Sequence, residues 1–404
     1  MKNVIVIGAG PAGIMASLSS AKLGNKVTLL ERNNEIGKKL KLTGGGRCNI
    51  TNNRDIEEFF DKVVTNKKFL YSAFYTFSNL DILDYFKKNN LEYKIEYNND
   101  NKVYTKNDKA EDVINVFKED LKNSGVKVLY NSKVIDLIVK NGEIKGVILE
   151  GDREIYCDKV IITTGGKSYP TTGSDGIMFD ILKKYGHDIK TFYPALIPLV
   201  IKEGFVKNLQ GISLKDVVLS AKVKKKKVEI EGDMIFTHFG ISGPGVLKLS
   251  SYINKILENE EVSILLDFIK DKSKEELSLK IRENNNKTVF NNLKGILPQK
   301  FIKEILESLN LTDIKACELK KEDENKLINS LKEMKLTAIE TLTIKAAMVT
   351  SGGVSVKEIN SSTLESKIIK NLFFAGEVID IDAETGGYNL QIAYSTGYLA
   401  GLDY

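Results

Sequence analysis

Apolar positions follow three patterns along this chain. Runs that end in glycines, Val4–Ile7 before Gly8 and the stretch 159–166 with Val160, Ile161 and Ile162, suit strands buried in a parallel sheet. Apolar residues at helical spacing mark Ala12–Leu23, the stretch 55–90 with Phe59, Phe60, Phe69, Phe74 and Phe77, and Lys109–Ser124. Shorter alternating segments predict hairpins. Leu91–Thr105 turns through Asn98–Asn101, and Lys133–Glu150 turns at Asn141-Gly142, with Arg153–Cys157 as a third strand. Near Thr191 the texture changes. Val217–Val223, Val228–Glu231, Met234–Phe236 and Val262–Phe268 predict an inserted β-rich region, followed by lysine- and glutamate-rich helices over 272–333. Glycine-rich apolar text returns after Thr341, with a strand at Leu372–Ala375 and a helix from about Gly387 to Leu402.

The first run carries chemistry. Val4–Ile7 meets Gly8, Gly10 and Gly13, a G-x-G-x-x-G at a strand-to-helix turn. The first glycine permits the turn, the second lets backbone approach a pyrophosphate, and the third lets helix and strand pack closely. Lys26–Leu30 follows as a strand, and Glu31 stands 18 positions after Gly13, near the spacing for a carboxylate on a ribose hydroxyl. A glycine turn without a nucleotide is the competing reading, and strand, helix and acid in register disfavour it. The motif does not choose between NAD and FAD. A second glycine turn at Gly386-Gly387-Tyr388 points to FAD, whose long cofactor needs a second loop and a helix N-terminus beside the reducible ring.

Composition narrows the class. The 404 residues hold 59 basic and 54 acidic side chains, a mild excess of +5. Lys224–Lys227 reads as a solvated hairpin turn in preference to a nucleic-acid patch. Cys48, Cys157 and Cys317 show no C-x-x-C spacing, and with no leader segment or long apolar run the expectation is a cytoplasmic protein with no membrane span and no metal site. Gly44-Gly45-Gly46-Arg47-Cys48-Asn49 is expected to be irregular, either a ligand loop or a flexible surface loop; Cys48 reads more simply as a packed residue than a reactive thiol. Ser174 and Asp175 are equally candidates for capping a helix near 177–185 and for touching a ligand.

Four blocks give a resemblance: L-T-G-G-G-R-C-N-I-T-N (42–52), T-T-G-G-K-S-Y-P (163–170), F-T-H-F-G-I-S-G-P (236–244) and A-G-E-V-I-D with T-G-G-Y-N-L-Q (375–391). In content and order they resemble the BaiN/YhiN-like, or aminoacetone-oxidase-like, flavoproteins. The resemblance implies an α/β fold: a glutathione-reductase-like FAD-binding Rossmann domain over 1–190 and 342–404, interrupted at 191–341 by a β-barrel-like and helical insertion that serves substrate or acts as a lid. It implies FAD contacts at Gly8, Gly10, Ala12, Gly13, Glu31, Arg32, Gly46, Arg47, Val134, Thr164, Gly165, Gly376, Glu377, Asp380, Gly387, Asn389 and Leu390. Ala383 departs from the family's usual glycine. The expected activity is hydride transfer through flavin N5 to or from a small molecule, by enone reduction or amine oxidation. Tyr388, His238 and Arg47 are the candidate catalytic groups, and for His238 a structural hydrogen bond is the favoured reading. No second G-x-G-x-x-G appears, so NAD(P)H is expected only as a transient donor. The alternative is a flavoprotein acting on RNA, suggested by lysines at 222–227 and 270–303; nucleic acid is the less expected partner, and the oligomeric state is open.

Overall fold

A computed structural model describes residues 1–402. It divides the chain into two compact units, Met1–Tyr193 with Ile344–Tyr404, and Pro194–Thr343.

The first unit is built on a five-stranded parallel sheet: β1 (Asn3–Ile7), β2 (Lys26–Leu30), β3 (Lys127–Leu129), β4 (Lys159–Ile162) and β5 (Leu372–Phe374), in the order β5-β4-β1-β2-β3. Val4, Ile5, Val6, Val160, Ile161 and Ile162 are all buried, as their unbroken apolar runs require. β1 lies between β2 and β4, so the order reverses beside it. Such a switch point opens a crevice at the carboxyl ends of the strands. Two small antiparallel sheets flank this core: Val134–Lys140, Glu143–Leu149 and Arg153–Tyr156 form one, and Asn49–Asn52, Lys102–Thr105 and Tyr93–Glu96 the other.

The second sheet corrects the reading of the triple-glycine block. Thr43 is extended and Gly44 and Gly45 are left-handed, so 40–46 is indeed no regular helix. Asn49–Asn52, however, is a fully buried strand paired with Lys102–Thr105. Cys48, immediately before that strand, is wholly buried with φ of 56°.

The second unit is a closed six-stranded antiparallel barrel, with four helices over 274–332 inserted before its last strand and one, Pro244–Ile253, earlier. Around the barrel run Leu199–Ile201, Gly240–Ser242, Lys226–Phe236, Ser213–Val223, Val262–Asp267 and Met334–Thr341. Two expected strands, 228–231 and 234–236, are one continuous strand through Gly232, where a Cβ would lie 2.9 Å from the Gly245 backbone. The hairpin turn falls at Lys224-Lys225, and Lys226 and Lys227 pair with Val223 and Lys222. Among the described residues, no helix is long and apolar enough to cross a membrane.

Candidate functional site: a dinucleotide cavity in the first unit

A cavity opens at the switch point, over the carboxyl ends of β1, β2 and β4 and the turn after β5. Its floor is the glycine turn. Gly8 has φ of +102°, and a Cβ there would sit 2.8 Å from the Thr163 carbonyl oxygen. Gly13 packs behind the turn, where a Cβ would fall 1.9 Å from the Gly8 oxygen, and it does not line the cavity. Gly10 has nothing within 4 Å of a notional Cβ, which leaves backbone open to a ligand. The helix Pro11–Lys22 begins here without a side-chain cap, and Pro11 supplies φ at a position whose N–H is not needed. Its free N–H groups and positive end are presented to the crevice.

Glu31 fixes this floor. One carboxylate oxygen accepts from the Ala9 amide at 2.8 Å, and the other accepts from the Asn33 amide at 2.8 Å and its side chain at 2.7 Å. Asn33 also donates to Thr172 O at 3.0 Å, while Arg32 pairs with Asp175. These contacts tie the loop 172–175 to the end of β2. Asp175 also accepts from the Ile177 amide at 3.1 Å, so it serves both the helix start and Arg32. Thr164 Oγ1 lies on the cavity, buried, with no hydrogen-bond partner among the described residues. A buried hydroxyl left without a partner is costly, and a polar ligand would satisfy it.

The far wall comes from the C-terminal part of the chain. The helix Tyr388–Gly401 places Asn389, Leu390, Ile392 and Ala393 on the cavity, and Asn389 is held by the Ala383 amide at 3.0 Å and its carbonyl at 2.8 Å. Glu377 also lies there. Its carboxylate takes Lys39 Nζ at 2.9 Å, Ser168 Oγ at 3.1 Å and the Thr350 amide at 2.7 Å. Burial works against its charge, but the Lys39 ammonium and these hydrogen bonds outweigh that and hold its pKa below the usual carboxylate value.

The structure therefore gathers Gly8, Gly10, Ala12, Glu31, Arg32, Val134, Thr164, Gly165, Gly376, Glu377, Asn389 and Leu390 around one cavity. It does not bring the other expected residues of this unit there. Gly46 and Arg47 stand outside: the Arg47 guanidinium pairs with Glu96 and Asp108 and lies 3.8 Å over the Tyr104 ring. Gly387 packs against the Thr51 backbone, where a Cβ would come within 2.4 Å. Asp380 is buried and accepts from Asn66 Nδ2 at 3.0 Å. Tyr388 is wholly buried, edge-on to Phe59 with ring centroids 5.0 Å apart, and its buried hydroxyl raises its pKa. His238 belongs to the second unit, where it is exposed and edge-on to Phe239. Sequence reasoning missed Lys39, Ser168 and Thr350. Ser168 stood inside the quoted T-T-G-G-K-S-Y-P block, which was the available signal.

Comparison with known proteins decides the family. The model of the HI0933-like protein Rossmann domain matches residues 2–403. The chain belongs to the HI0933-like family. This chain is 30% identical to the 3-dehydro-bile acid delta(4,6)-reductase of Clostridium scindens, over 99% of this chain and 98% of the other. The ribosomal RNA dihydrouridine synthase of Haemophilus influenzae is 29% identical, over 98% and 97%. Among solved structures, a 3-ketosteroid-delta4-(5alpha)-dehydrogenase from Rhodococcus jostii RHA1 superposes with a TM-score of 0.52 at 13% identity, over 100% of this chain and 97% of that one; this likeness concerns the fold. This HI0933-like chain is thus an FAD-dependent oxidoreductase with an α/β Rossmann-type fold and an inserted six-stranded barrel. The cavity fits FAD: the glycine floor, the uncapped helix and the unpartnered Thr164 hydroxyl are what an adenine dinucleotide requires.

Proposed function

We propose that this protein adds two hydrogens across a carbon–carbon double bond conjugated to a carbonyl. The observation that carries the reading is the shared chemistry of two relatives matched over nearly their whole lengths. A delta(4,6)-reductase and a dihydrouridine synthase each saturate such a bond. This favours C=C reduction over amine oxidation.

Bound FAD supplies hydride chemistry at its N5. The chain's residues bind and orient it. Glu31 and the glycine turn hold the adenosine end, the open helix N-terminus meets the pyrophosphate, and Thr164 offers a hydroxyl. NAD(P)H serves as a transient electron donor in this reading, since the one dinucleotide fingerprint is occupied by FAD. Arg47 and Tyr388 leave the list of proton donors, one neutralised by two carboxylates and the other buried among aromatic rings. His238 remains as a proton-donor proposal, tested by His238→Ala.

A small enone is the first substrate class. Uridine in ribosomal RNA is the second, favoured by the full-length match to the Haemophilus enzyme and by the excess of basic over acidic side chains. The test is anaerobic. Holoprotein reduced by NADH or NADPH is mixed with a panel of cyclic enones or with ribosomal RNA lacking dihydrouridine, and flavin absorbance and product mass are followed. Reoxidation with a mass gain of two hydrogens supports the reading and selects the substrate. Bleaching of oxidised flavin by amines, with no response to either acceptor, overturns it.

A further inference from the structure

Lys39 has the look of a phosphate anchor: a lysine on a dinucleotide cavity, two positions after Gly37. Its surroundings argue otherwise. Nζ donates to Ser168 Oγ at 2.6 Å and to Glu377 Oε2 at 2.9 Å. Glu377 Oε1 already takes the Thr350 amide and Ser168 Oγ. Thr350 Oγ1 in turn accepts the amides of Lys167 and Ser168, at 2.8 and 3.0 Å, which fixes the turn that carries Ser168.

Counting donors and acceptors sharpens the point. An ammonium has three N–H groups, and a carboxylate has about four lone-pair positions. The network uses two of the former and three of the latter. One N–H on Lys39 and one lone pair on Glu377 Oε2 are left over by these bonds, and both residues line the cavity. The pair is neutral as a whole, so a phosphate would meet a carboxylate as soon as it met the ammonium. A hydroxyl, which donates and accepts at one atom, matches both.

We propose that Lys39 is a positioning residue that, with Ser168, keeps the Glu377 carboxylate charged and facing the cavity, where the two recognise a hydroxyl of the cofactor's sugar-alcohol chain and not its phosphates. The inference rests on FAD filling this cavity. Without the ammonium, burial is opposed only by the Thr350 and Ser168 hydrogen bonds, and the Glu377 proton returns at a higher pH. Among the described residues, Glu377 is faced by the Lys39 ammonium and by the neutral donors Ser168 and Thr350.

The test uses the full chain stripped of flavin and titrated with FAD and, separately, with ADP, which has the phosphates but no sugar alcohol. Lys39→Met weakens FAD by about ten-fold or more, as expected for a lost charge-assisted contact. Its FAD affinity falls further from about pH 8 to about pH 6, while the wild type stays flat. ADP affinity is unchanged, which also shows that the variant is folded. Lys39→Arg restores most of the FAD affinity, and Ser168→Ala shows a weaker form of the same pattern. An equal loss of FAD and ADP, an unchanged FAD affinity, or a flat pH profile in Lys39→Met each overturns the proposal. Wild-type protein that takes up neither ligand would sink the cofactor assignment itself, a distinct outcome.

Discussion

Thr164 makes a prediction of two signs at the scale of one residue. Its hydroxyl is buried on the cavity with no partner among the described residues. Thr164→Val removes that group at nearly constant shape, so the flavin-free protein keeps or gains stability, by up to about 1 kcal/mol. FAD affinity falls by about ten-fold if the hydroxyl is a ligand contact. Thermal melts with and without FAD check both signs. Cys48 and Cys157 give a second prediction. Burial pushes both thiols up to about 12. Unfolded thiols titrate near about 8.5, so the native state holds these protons more tightly than the unfolded chain. Their contribution is complete below about pH 8.5 and is lost as pH rises towards 12, by about 1.4 kcal/mol per pH unit for each thiol. Denaturant melts of wild type and Cys48→Ala between about pH 9 and pH 11 should diverge with the wild type steeper. Parallel slopes would contradict the burial argument. In the native protein, alkylating reagents should reach the exposed Cys317 well before the other two.

The crossing of two helices is the element on which the cavity depends. Gly397 and Gly401 on the helix Tyr388–Gly401 meet Ala12 and Ala16 on the helix Pro11–Lys22. A Cβ at Gly397 would fall 2.2 Å from the Ala12 oxygen, and one at Gly401 2.5 Å from the Ala16 oxygen. Both helices also line the cavity, through Ala12 on one and Asn389 and Leu390 on the other. Gly397→Ala must therefore push them apart, costing about 1–3 kcal/mol and loosening FAD. Gly204→Ala, where a Cβ has nothing within 4 Å, is the control and should leave both melting and FAD uptake unchanged. The same helix shows what sequence could and could not supply. Its start and its place in a second ligand loop were legible from Gly386-Gly387. The resemblance pointed to Asn389 and Leu390, but the residues alone could not separate them from Tyr388, because successive helical residues rotate by about 100°. Tyr388 turns to Phe59, and Asn389 and Leu390 turn to the cavity. Arg47 was misplaced for a different reason. Its carboxylate partners, Glu96 and Asp108, lie 49 and 61 residues away, and no local pattern announces them. The glycine fingerprint and Glu31 were readable because turn, helix and acid are local in sequence as well as in space.

For the whole molecule, the decisive feature is how the insertion leaves and rejoins the chain. Its first and last barrel strands pair antiparallel, with Leu199 opposite Thr341, so its two ends lie side by side. It has a hydrophobic core of its own, including Phe236 stacked on Phe301 with centroids 6.1 Å apart. All the residues that line the dinucleotide cavity belong to the first unit. A domain of about 150 residues buries about 70% of the surface its unfolded chain exposes, enough to fold alone. Residues 194–343 expressed by themselves should give a colourless protein that unfolds in one cooperative transition. A chain in which Tyr193 is joined to Ile344 through a short glycine-serine linker should take up FAD and show a bound-flavin spectrum. If the excised barrel is molten and the spliced remainder stays colourless, cofactor binding depends on the intact chain, and the division of labour drawn from the cavity lining is wrong. If both fold and the remainder binds FAD, asking whether it still reduces an enone or a uridine separates the residues that hold the cofactor from those that choose the substrate.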